Sequence, residues 1–202
     1  MIGSLLKIFG CSGQQETKAD NPTTDDILNS VEAFKNRQIY KKLTPEIISK
    51  LKDNELEQAV FDNISINIED DKRDEREIIR SLTPGQRAIY VTWIVEGEIN
   101  NGGFNQFYFN SSRQLADLGE DAFKIIGADQ FAGLMKEANV LYDEIKEDLE
   151  KYNDGTMESF SKSYKDNPLN ELDSKFYKLD SVAPLRLLKI HYIRSNIKEF
   201  VE

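Results

Sequence analysis

The stretch Thr83-Pro84-Gly85-Gln86-Arg87-Ala88-Ile89-Tyr90-Val91-Thr92-Trp93-Ile94-Val95 decides the fold class. Thr83 offers an N-cap hydroxyl, Pro84 fills the first helical position, and Gln86 completes a capping box in which hydroxyl and amide each satisfy an orphan backbone donor. From Ala88 to Val95 apolar groups then fall on every side of the helix, the pattern of an element surrounded by others. A helix near residues 86–98 is therefore predicted at the centre of the molecule.

Working outward, apolar residues recur at three and four from Thr23 onward and strand-like alternation is scarce. The prediction is an all-α, single-domain multi-helix bundle of about eight to ten helices. Helices are expected near 25–42, 45–62, 73–82, 104–111, 113–126, 128–152, 170–179 and 184–201. Thr44-Pro45-Glu46 repeats the threonine-proline start. The last helix places Leu187, Ile190, Ile193, Ile197 and Phe200 on one stripe and leaves Lys189, Arg194 and Lys198 off it. Asn153 to Asn170, rich in Ser, Asp and Asn, reads as a loop.

Composition narrows the function classes. The 202 residues carry 36 acidic against 26 basic groups, a net charge of -10, which is the wrong sign for a clamp on nucleic acid. No apolar run approaches the ~18 residues a membrane crossing requires. Hydrophobic residues make up 39% of the chain, enough to bury a core. One cysteine, Cys11, allows no internal disulfide, and with one histidine, His191, the common zinc spacings and Cys-His dyads are out of reach. No metal and no cofactor is expected.

Residues 1–22 read as a flexible polar entry segment, with the domain proper over 23–202. Ile8-Phe9-Gly10-Cys11 also fits a lipid-attachment box, but the apolar stretch is short, Lys7 interrupts it and no cationic region precedes it. A cytoplasmic location is expected, with membrane attachment only through a lipidated Cys11.

Beyond the central helix lies Glu96-Gly97-Glu98-Ile99-Asn100-Asn101-Gly102-Gly103-Phe104-Asn105-Gln106-Phe107-Tyr108-Phe109-Asn110. Asn-Gly-Gly tolerates positive φ, which a helix needs to stop and a tight turn needs to reverse. In a structural reading, Asn101, Gln106 and Asn110 satisfy helix-end amides and carbonyls around a buried corner. In a functional reading, Gly102 and Gly103 let an anion approach backbone N–H groups at a helix start. No lysine and no Gly-Lys-Ser/Thr ending accompanies them, so the structural reading is preferred.

This string, from Glu98 through Gly102, Gly103, Phe104 and Gln106 to Asn110, is followed by Leu115-Ala116, Ala122-Phe123 and Ile126-Gly127-Ala128. It resembles the signature of the DNA mimic protein 19-like family. The likeness runs from about Thr24 to the C-terminus, with its specific part at residues 96–128. The resemblance implies an all-helical, acidic, bacterial protein without enzymatic activity, a homodimer, and occupation of the DNA-binding surface of a transcription regulator.

The charge is unevenly spread. Residues 113–155 hold 5 basic and 11 acidic groups, or -6, whereas 83–112 give -1 and 156–202 give +1. On the helix predicted over 128–152, Phe131, Leu134, Met135, Ala138, Leu141, Ile145, Leu149 and Tyr152 mark the packed side. Asp143, Glu147, Glu150 and Asp154 fall in one column on the other side, and Glu137, Glu144 and Asp148 in a second. Steps of four advance about 6 Å along a helix, of the order of the spacing of phosphates along a strand. These seven carboxylates are the candidate face for a basic protein partner such as a DNA-binding regulator, with no direct contact to nucleic acid. Lys146 and Lys151 sit within a turn of them, so a solvated surface is the competing reading.

Catalysis finds little support. Glu96 and Glu98 point to different sides of a helix, and His191, between Ile190 and Tyr192, lacks a recognisable nucleophile and is expected to be partly buried. The alternatives to a decoy for nucleic acid are an immunity-type inhibitor of a toxin and a lipid-anchored structural domain.

Overall fold

The structure is a computed structural model that describes residues 23–71 and 73–201. The entry segment 1–22, with Cys11 and its lipid-attachment reading, lies outside the described residues. What is described is all-helical: α1 Thr24–Lys35, α2 Pro45–Lys50, α3 Asp53–Asp70, α4 Glu75–Ser81, α5 Pro84–Phe109, α6 Ala116–Ile125, α7 Asp129–Glu150, α8 Met157–Lys162, α9 Leu169–Val182 and α10 Leu185–Ser195. Short 3-10 turns occupy Ser111–Leu115 and Ile197–Glu199.

α5 is the axis of the bundle. The Thr83 capping box forms, with both reciprocal bonds present. Ala88, Ile89, Val91, Val95 and Ile99 are fully buried, as are Phe104 and Phe107 beyond them. α3, α6, α9 and α10 pack around it, and α7 closes the outside against α6 and α9. Burying side chains of this size contributes about 1.5–3 kcal/mol each, the main force that holds the helices together. The start of α5 is also held from the far end of the chain. The Gly85 N–H donates to the Glu199 carboxylate, the Thr83 hydroxyl donates to the Glu199 carbonyl at 2.9 Å, and the Tyr192 hydroxyl donates to Glu199 Oε1 at 2.8 Å.

Several predicted boundaries are corrected. The helix expected over 25–42 ends at Lys35, and α1 buries none of its residues. Just past it, Arg37 makes a bidentate pair with Asp62 of α3, at 2.6 and 2.8 Å. The span 45–62 is broken at Leu51, whose backbone is extended, and helix resumes from Asp53 to Asp70. The segment 153–170 is not a plain loop, since Thr156 caps α8 within it. The helix expected over 184–201 stops at Ser195. Within it the buried stripe is Leu185, Lys189, Ile190 and Ile193, whereas Leu187 is 56% exposed and His191 is exposed.

Candidate functional site

The Asn-Gly-Gly corner breaks the helix as expected, so that α5 consists of two helical arms joined at Gly102 and Gly103. At this kink the backbone is non-helical at Gly102 (φ -163°, ψ 26°) and takes positive φ at Gly103 (φ 74°). The kink frees backbone groups, and the segment 164–177 satisfies them. The Tyr177 hydroxyl donates to the Ile99 carbonyl at 2.7 Å and the Tyr164 hydroxyl to the Gly102 carbonyl at 2.8 Å. The Phe104 N–H donates to Asp173 Oδ1 at 2.7 Å. A Cβ on Gly103 would stand 2.2 Å from Asp173 Oδ2, so glycine is required here both by φ and by close approach. Burial pushes the Asp173 carboxyl above its usual range, and the Phe104 N–H partly offsets that.

Gln106 and Asn110 do not satisfy helix ends as expected. Both donate to Glu98 Oε2, at 2.7 and 2.8 Å, while the Ser112 hydroxyl donates to Glu98 Oε1 at 2.9 Å. Asn101 is exposed. The corner is thus a closed polar joint: Asp173 already sits where an anion would meet the Phe104 N–H.

Glu96 faces elsewhere. Its carboxylate and that of Glu57 in α3 both bind the Lys189 ammonium, whose side chain is 0% exposed. Burial alone would drive the proton from Lys189, but Glu96 and Glu57 more than reverse this and hold it above the ordinary lysine range. Burial raises the Glu96 carboxyl, against the opposing pull of Lys189. Trp93 lies over the ammonium at 5.1 Å and stacks on Phe61 at 4.7 Å. Lys189 is enclosed while Glu96 keeps a partly exposed edge, and Glu96 and Glu98 are held by different partners, so they form no acid and base pair.

The acidic carboxylates are all exposed along α7 and just after it. Asp143 pairs with Lys146 at 3.0 Å, Asp148 with Lys151, and Glu137 with Lys175 of α9 at 2.6 Å. Asp154 accepts from the Thr156 hydroxyl and N–H, which hold its carboxyl below the usual range. Glu144, Glu147 and Glu150 have no ion pair among the described residues. Beneath them Tyr142 stacks on Tyr108 at 4.1 Å, and that packing fixes the C-terminal half of α7. The cleft beside it, lined by Tyr108, Tyr142 and Glu150, holds only about 20 Å³. The sequence reading missed Glu57, Lys189, Asp173, Tyr164 and Tyr177. For Lys189 a signal existed: it lies four residues from both Leu185 and Ile193, on the stripe they define.

No helix among the described residues is long and apolar enough to cross a membrane, and none of their His, Cys, Asp and Glu form a group of three placed to hold a metal. No curated protein and no solved structure matches the chain. A family model described as DMP19-like protein matches residues 80–196, which hold the kink, its three capping side chains, Lys189 and the whole acidic face. With more than half its length so matched, this chain belongs to the DMP19-like protein family.

Proposed function

We propose that the chain is a non-enzymatic acidic interaction module that covers the basic, nucleic-acid-binding surface of a partner protein such as a DNA-binding regulator. The observation that carries this reading is the row Glu144, Glu147 and Glu150, exposed on the last turns of α7 and without ion pairs among the described residues. Steps of three along a helix advance about 4.5 Å. Phosphates along one DNA strand advance about 3.4 Å along the axis, a spacing of the same order. Asp143 and Asp148 flank the row, and their exposed lysine partners are held only by weak surface pairs that a cationic partner can displace. Membership of the DMP19-like family agrees with a polyanion decoy. Opposite charge would speed encounter and make binding salt-dependent.

The test is competition: measure by fluorescence anisotropy whether the protein displaces labelled duplex from DNA-binding regulators of the source organism, against the Glu144→Lys, Glu147→Lys, Glu150→Lys triple variant. Displacement that weakens with added salt and is lost in the triple variant supports the reading. Displacement unchanged by charge reversal removes α7 as the contact face.

A further inference from the structure

We propose that the concavity between α4, the first turns of α5, and α6 binds a small organic anion: a carboxylate or phosphate carried on a short apolar body. Its volume is about 290 Å³, near the lower end of small-molecule sites. Leu118 and Ile125 of α6 give it an apolar wall, and Arg80, Arg87 and Lys124 line it against one carboxylate, Asp121. Three cationic side chains line this one hollow of a chain that is -10 overall, two of them also paired, with Asp117 and Glu120.

Arg87 is the anchor. Its Nη1 donates to the carbonyls of Arg80 at 3.1 Å and Leu82 at 3.4 Å, which pins the guanidinium at the hollow, and it has no carboxylate partner among the described residues. The planar fork then keeps donors for an incoming oxyanion. Arg80 shares a single oxygen of Asp117 with Arg76, at 3.2 and 2.5 Å, so one carboxylate serves two guanidinium groups. Lys124 pairs with Glu120 at 2.6 Å on the exposed rim, a contact weak enough for a ligand to displace. The head group of the ligand would lie on Arg87 and Lys124, and its apolar body on Leu118 and Ile125.

Titration calorimetry with hexyl phosphate, hexanoate, inorganic phosphate and 1-hexanol tests this. Hexyl phosphate or hexanoate should bind at least about tenfold tighter than either inorganic phosphate or hexanol, because only the combined ligand uses both walls. A preference between the two amphiphiles assigns the head group. Arg87→Gln and Lys124→Gln should each weaken that binding by about tenfold, the loss of one charge-assisted contact. Lys124→Gln removes no backbone contact and keeps the test decisive if Arg87→Gln disturbs α4. The proposal is overturned if neither amphiphile binds, if inorganic phosphate binds as well as both, or if the two variants retain wild-type affinity.

Discussion

Lys189 of α10 is wholly enclosed and its ammonium is shared by Glu57 of α3 and Glu96 of α5, so three helices meet at one charge cluster inside an apolar core. Such clusters add little net stability relative to apolar replacements, but breaking one strands its charges. Lys189→Met should therefore cost about 3–5 kcal/mol. Adding Glu57→Gln and Glu96→Gln to it should recover much of that loss. Urea unfolding followed by the fluorescence of Trp93, which lies over the ammonium, reads both. A triple variant as unstable as the single one would show that packing, not stranded charge, sets the penalty.

The same cluster sets a pH dependence. The Glu96 carboxyl lies above the ordinary value of 4.5 through burial, against the pull of Lys189. The folded state thus holds this proton more tightly, so the stability it contributes is full below 4.5 and is lost as pH rises through the folded value. Lys189 is also raised, from 10.5, so its contribution is full below that value and disappears on the alkaline side. Urea midpoints taken from about pH 4 to about pH 8 should fall less steeply in Glu96→Gln than in the parent. Parallel profiles would remove Glu96 as the source.

Two glycines differ in what a side chain would meet, and Gly103, at ψ -177°, also has the more glycine-specific backbone. Gly103→Ala must adopt φ 74° and meets Asp173, whereas Gly127→Ala must adopt φ 77° with nothing within 4 Å. The backbone penalty alone is roughly 1–3 kcal/mol. Gly127→Ala should lose about that much, and Gly103→Ala clearly more, by chemical denaturation. Equal losses would mean that Asp173 moves aside freely and that the backbone at Gly103 relaxes.

Glu98 should tolerate an amide but not truncation. A glutamine oxygen can accept from both Gln106 and Asn110, while its NH2 donates to the Ser112 hydroxyl, which turns toward the Phe107 carbonyl 3.2 Å away. Glu98→Ala leaves the Gln106 and Asn110 amides without their acceptor and should cost about 1–3 kcal/mol, whereas Glu98→Gln should cost less than about 1 kcal/mol. If Glu98→Gln proves as damaging, the negative charge itself is what the joint requires.

What the sequence made legible was local. Thr83 to Gln86 announces a helix start within four residues, and Asn101-Gly102-Gly103 announces a break, because each signal rests on chemistry contained in a few residues. The partners of the break were not legible: Tyr164, Asp173 and Tyr177 lie some 60 to 80 positions along the chain, and nothing in local pattern joins them to Gly102. The phase of α10 is hidden in the sequence because a lysine sits on its buried stripe. Lys189 is buried there only because two carboxylates from other helices wait for it. On α7 the carboxylates could be assigned to an exposed face, but the i+3 partners of Asp143 and Asp148 depend on rotamers that sequence does not specify.

The hold that Glu199 keeps on Gly85 has a bearing on where this molecule can be cut. The family model matches residues 80–196, yet the Glu199 contact that holds the start of α5 comes from beyond that limit, and one of the two counter-ions of Lys189, Glu57, comes from before residue 80. The matched segment is therefore shorter than the set of residues that packs around α5. A version cut to residues 80–196 would lose both the Glu199 cap on α5 and one counter-ion of Lys189.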